Sequence, residues 1–187
     1  VEKKYVYFFG KGDAEGNKDM KDILGGKGAN LAEMAGIGMP VPPGFTVSTE
    51  VCNLFTQEGN RIPLFVEEDI LKNLKRLEEI SGQKLGDKDN PLLVSVRSGA
   101  KFSMPGMMDT VLNLGLNDRT LEGLARKAKN KRFALDCYRR LIQMFGDVVL
   151  NISKKKFEEI LKKKKEKNGI VQDFELTEGL LAELIAE

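Results

Sequence analysis

The sequence predicts an α+β protein: a mixed lobe with a small sheet over residues 1–118, then an all-helical subdomain over residues 119–187. Three observations carry this. The β-branched and aromatic runs "YVYFF" (5–9) and "LLVSVR" (92–97) lie in the first part. Glycine- and proline-rich turns punctuate the same part. From Arg119 onward, apolar residues recur at helical spacing behind capping residues, with almost no strand signal.

In order, "YVYFF" reads as a strand and "GKGDAEGNKD" (10–19) as a loop. A helix is expected from Gly28, with Leu31, Met34 and Ala35 on one face and Gly36 and Gly38 ending it. "MPVPPGFTV" (39–47) is extended, because proline and the residue before it disfavour helix. Ser48 or Thr49 can cap a short helix that buries Val51, Leu54 and Phe55 and stops at Gly59. Residues 66–81 carry an apolar stripe of Ile70, Leu71, Leu74, Leu77 and Ile80, closed by Gly82. After the strand at 92–97 comes the glycine- and methionine-rich loop "SGAKFSMPGMMDT". Helices follow at 120–129 and 133–150, the latter with Leu141, Ile142, Phe145, Val148 and Val149 as its packing face. Two more are expected behind Ser153 and Thr177.

With 187 residues, 41% apolar and 31% charged, the chain can bury a core and solvate its surface. A net charge of +2 gives no basic stripe for nucleic acid, and no apolar run approaches the ~20 residues of a membrane span. Neither nucleic acid nor membrane is therefore expected as a partner. The opening "VEKKYVYFFGKG" lacks the pattern of a signal peptide. Cys52 and Cys137 are expected as reduced, buried thiols in a cytoplasmic protein. The chain has no histidine, which excludes a Cys/His zinc site and puts any histidine chemistry outside it. The run Lys162–Lys165 is expected as a solvated helix face offset by Glu158, Glu159 and Glu166.

Three stretches bear on chemistry. "ILGGKGANLAEM" (23–34) sets Gly25, Gly26 and Gly28 around Lys27 at a helix start. The first amides of a helix lack internal partners and favour anions, and glycines let a phosphate approach. The spacing is not that of a P-loop; on the residues alone, a phosphate site and a structural turn with a solvated lysine both stand. Arg97 ends an apolar strand, where its planar fork suits either a local carboxylate or phosphate oxygens. "SMPGMMDT" reads either as a core-covering loop or as a flap with Gly106 as hinge and Thr110 as hydroxyl donor. Nothing marks Asp109 as a metal ligand. Arg139 and Arg140 are adjacent, so a helix cannot aim both at its core; one is left for surface ion pairs or for docking.

"GGKGANLAEM", "GMPVPPGFTVSTE", "PLLVSVRSGAKFSMPGMMDTVLNLGLND" and "RFALDCYRRLIQMFGDVV" together resemble the N-terminal part of the pyruvate, phosphate dikinase family. Phosphoenolpyruvate synthases share the GGKG turn and the V-R-S stretch but typically lack "SMPGMMDT". The resemblance implies an incomplete ATP-grasp nucleotide-binding lobe. Lys27 and Arg97 match the family's ATP-phosphate-binding and catalytic cations, and Gly106 to Thr110 match its phosphate loop. Lys101 stands where the family often has arginine.

By the same resemblance the cofactors are ATP and Mg²⁺, with the metal ligands outside this chain. A histidine on a swivelling domain takes a phosphoryl group to pyruvate in a barrel domain, yielding phosphoenolpyruvate, AMP and pyrophosphate. The second lobe, the histidine domain and the barrel are implied as partners in the same polypeptide, in a homodimeric enzyme, with Arg140 a candidate for interdomain docking. The chain alone is then expected to be inactive. The alternatives are a phosphoenolpyruvate synthase-like or glucan dikinase-like enzyme, or a non-catalytic relic of a nucleotide-binding module.

Overall fold

The computed structural model describes residues 3–99 and 109–187. They form two compact units. The first spans 3–82 and 98–99; the second comprises Gln83–Arg97 and Asp109–Glu187.

In the first unit, β1 (Val6–Gly10), β2 (Asp13–Ala14) and β3 (Gly44–Val47) make an antiparallel sheet in the order β2-β1-β3. Val6 pairs with Val47 and Phe9 with Gly44. Helix α1 (Lys21–Gly36) packs on this sheet through Leu24, Ala29 and Ala32, joined by Tyr7 and Ala14. Helices α2 (Glu50–Gln57) and α3 (Leu64–Ser81) follow, and α3 packs on β1 and β3. Strand alternation turns Phe8 away from Tyr7, and the Arg76 guanidinium of α3 lies 4.0 Å from the Phe8 ring centroid. Arg76 also pairs with Glu15 at 2.7 Å and Asp13 at 3.0 Å, fastening the β1–β2 hairpin to α3. Glu15 additionally accepts the Phe8 N–H at 2.7 Å and pairs with Lys4 at 2.9 Å. Burial opposes ionisation of Glu15, but these donors outweigh it and hold its carboxyl below the usual range.

The second unit holds the hairpin of β4 (Val94–Arg97) and β5 (Thr110–Leu114) and four helices: α4 (Thr120–Ala128), α5 (Lys131–Val148), α6 (Lys154–Lys167) and α7 (Glu178–Ala186). A 3₁₀ turn at Asp173–Glu175 precedes α7. The β4–β5 register slips between Val94 and Val96. On the β5 side of the slip Asn113 is left-handed at φ 61°, and its amide donates to the Cys137 carbonyl at 3.2 Å. Val111, Leu116 and Leu141 form one core; Leu135, Leu176 and Leu181 form another under α7.

Several expectations change. The expected boundary at residue 118 falls inside the second unit, because β5 buries Val111 against Leu141 of α5. Strand β5 is not expected from the sequence, which places only its first residue, Thr110, at the end of the 98–110 loop. Phe145 of α5 and Val149 just past its end are exposed, while Ala134, Leu135, Arg139 and Leu141 are buried. Asn130 caps α5 by accepting the Phe133 N–H at 2.9 Å. Thr177 caps α7 as expected, whereas Ser153 makes no capping bond to α6. The cysteines are unbonded, but Cys52 is exposed and Cys137 only half-buried, since short α2 buries Val51 instead. The lysine run is offset from further away than expected: Lys162 pairs with Glu166, but Lys164 pairs with Glu183 and Glu187, and Lys165 with Asp173.

Candidate functional site

The GGKG turn lies inside α1 rather than before it. A first helical turn begins at Lys21, and the helix breaks at Gly25, where φ 68° and ψ 168° are open essentially to glycine alone. The helix then restarts and runs to Gly36. At Gly28 a Cβ would lie 2.8 and 2.9 Å from Cγ2 and Oγ1 of Thr46, so the missing side chain lets α1 seat directly on β3. At Gly26 an added Cβ meets nothing within 4 Å. The three glycines thus break the helix, leave open space and allow close packing, respectively.

Thr49, expected as a cap of α2, makes no side-chain capping bond there. Its hydroxyl donates to the Asp22 carbonyl at 2.6 Å and its N–H to the Ile23 carbonyl at 2.8 Å, both in the first turn of α1. The neighbouring Ser48 hydroxyl is buried and has no hydrogen-bond partner among the described residues.

Lys27 follows directly on this turn. Three lysines among the described residues are half-buried: Lys27, Lys164 and Lys165. The latter two are ion-paired. The Lys27 side chain has no ion pair or hydrogen bond to another described residue. A part-buried lysine with no carboxylate partner among the described residues suits an incoming anion.

In the second unit, Arg97 ends β4 directly opposite Thr110, the first residue of β5. The ladder therefore brings together two residues singled out from sequence. Arg97 is exposed, and its side chain has no ion pair or hydrogen bond to another described residue. Gly106 lies outside the described residues, as does Lys101. Lys27 belongs to the first unit, and Arg97 and Thr110 to the second. The two adjacent arginines of α5 part as helical geometry requires. Arg139 is buried against Asp136 at 2.7 Å and Asp173 at 3.5 Å; Arg140 is exposed and pairs with the other Asp136 oxygen at 2.9 Å. Asp173 is held below the usual carboxylate range, first by the hydrogen bond from Lys165, against the effect of burial.

Residues 21–81, which contain Lys27, Thr49 and Arg76, match the family model "Pyruvate phosphate dikinase, AMP/ATP-binding domain". The sequence is similar to pyruvate, phosphate dikinase along nearly its whole length. It is 55% identical over 185 residues to the pyruvate, phosphate dikinase 1, chloroplastic, of Zea mays, covering 99% of this chain and 19% of that protein. The Arabidopsis thaliana counterpart is 54% identical over 187 residues, covering 100% of this chain and 19% of that protein. Pyruvate, phosphate dikinase of Clostridium symbiosum is 52% identical over 181 residues, covering 97% of this chain and 20% of that protein. The chain thus spans about a fifth of these dikinases, and its residues 21–81 are the part that matches the AMP/ATP-binding domain model. Arg97 and Thr110 fall outside the matched family segment but inside the span aligned with the Arabidopsis dikinase.

Among the described residues no group of three acidic, cysteine or histidine side chains is arranged to hold a metal ion. No helix among them is long and apolar enough to cross a membrane.

Proposed function

We propose that this chain supplies one wall of the ATP-phosphate site of a pyruvate, phosphate dikinase, as part of an ATP-grasp domain. In the complete enzyme, pyruvate, ATP and phosphate yield phosphoenolpyruvate, AMP and pyrophosphate through a phosphohistidine on another domain of a homodimeric polypeptide. The observation that carries this reading is Lys27: a half-buried lysine behind a broken helix, its side chain without a partner among the described residues, inside the segment that matches the AMP/ATP-binding family.

Lys27 and Arg97 neutralise the polyphosphate and stabilise charge that develops as its terminal groups transfer, which is electrostatic and positional catalysis. Thr110, opposite Arg97, donates its hydroxyl to the same phosphates, and Gly106 is assigned to the same phosphate loop by the resemblance alone. By the resemblance, the carboxylates that hold Mg²⁺ on the nucleotide belong to the remainder of the enzyme. Exposed Arg140 serves docking of the histidine domain. Unbonded cysteines suit a reducing, cytoplasmic compartment.

The test is Lys27→Ala in the complete enzyme. ATP-dependent phosphorylation of the enzyme is expected to fall by about 10²–10³ while the far-UV circular dichroism is unchanged. Undiminished phosphorylation refutes the assignment.

A further inference from the structure

We propose that Thr49 is a positioning residue for the phosphate-binding turn: by taking the Asp22 and Ile23 carbonyls onto its own hydroxyl and N–H, it keeps the Gly26 and Lys27 amides available to the anion. This rests on the phosphate-site reading above.

In an unbroken helix the carbonyls of Asp22 and Ile23 accept from the amides four residues on, those of Gly26 and Lys27. Gly25 leaves the helical conformation between them. Thr49 supplies the replacement donors, at 2.6 Å to Asp22 and 2.8 Å to Ile23. Two consecutive carbonyls are thereby satisfied from another element. The amides they would have bound fall at the start of the restarted helix, where partial positive charge accumulates.

Three further observations converge. Thr49 sits at the N-cap of α2 yet makes no side-chain cap, so its hydroxyl is committed to α1. The space beside Gly26 is open. The next residue is half-buried Lys27, whose side chain has no partner among the described residues. Without the Thr49 hydroxyl, the Asp22 carbonyl loses this donor and competes with the anion for the Gly26 amide. That competition weakens phosphate binding and leaves recognition of the nucleoside untouched.

The experiment displaces a fluorescent ATP analogue from the complete enzyme with inorganic tripolyphosphate and, separately, with adenosine. Thr49→Val is expected to lower tripolyphosphate affinity about tenfold, the scale of one lost hydrogen bond to a charged ligand site, while adenosine affinity stays within about twofold. Thr49→Ser keeps the donor and is expected to behave as wild type. If Thr49→Val does not fold, Thr49→Ala carries the same expectation. Unchanged tripolyphosphate affinity in a folded variant overturns the proposal. So does an equal loss for tripolyphosphate and adenosine, which marks a purely structural role. Lys27→Ala separates the two levels: if it leaves tripolyphosphate affinity intact, the phosphate-site reading itself falls; if it weakens binding while Thr49→Val does not, only the role of Thr49 falls.

Discussion

Gly25 and Gly28 answer different demands although they stand three positions apart. Gly25 holds a conformation that a side chain disfavours, whereas Gly28 is helical but pressed against Thr46. Gly25→Ala is expected to cost about 1–3 kcal/mol through backbone strain. Gly28→Ala is expected to cost a similar amount, about 1–3 kcal/mol, through overpacking. Chemical denaturation of the complete domain checks both, and a double-mutant cycle separates them: Thr46→Ser removes the crowding methyl, so it rescues Gly28→Ala in part and leaves Gly25→Ala unrelieved. The sequence alone marks these glycines and Lys27 as a candidate site, since residue type and local spacing carry that information. It does not reveal Thr49. A hydroxyl before "EVCNLF" satisfies every local rule for a helix cap, and the competing acceptors lie 26 and 27 residues earlier in the chain.

The elements were legible to the extent that their periodicity is local. Helix α3, ended by left-handed Gly82, and the strand within "YVYFF" come from patterns contained in a few turns of chain. Strand β5 does not, because its stability comes from pairing with β4 across the intervening segment and from Val111 meeting α5. Likewise β2 is two residues long, and α3 fixes its hairpin through Arg76. That fixation carries a pH dependence. The Glu15 carboxyl is lowered on folding, so its contribution is present above the ordinary value of 4.5 and is lost as pH falls through the depressed folded value. Glu15→Gln is therefore expected to melt at a lower temperature than wild type at pH 7. The difference should vanish under acid conditions, where wild-type Glu15 is itself protonated. Thermal melts across pH check this, and a gap that persists in acid contradicts it.

At the scale of the whole chain, the fold class and the nucleotide-binding similarity were readable, but the partition was not. The change from strand-bearing to helical sequence occurs near residue 118, whereas the packing divides the chain after Gly82. Composition tracks the kind of element; compactness tracks which elements share a core, and β4–β5 shares one with α5. Charge on α5 divides in the same way. Asp136 engages both arginines, burying Arg139 and leaving Arg140 outward. Arg140→Glu in the complete enzyme is expected to slow steady-state turnover, most strongly at low ionic strength, with nucleotide affinity retained. Turnover that is unaffected at every salt concentration removes the docking role.

The unequal surroundings of the two thiols have a practical consequence. Cys52 faces solvent one helical turn beyond Thr49, whereas Cys137 is half-buried and its thiol is raised, first by that burial and then by neighbouring Asp136. Within this chain, maleimide chemistry at neutral pH thus favours α2. An environment-sensitive dye attached there reports on the Thr49 contact in real time, with no cysteine introduced.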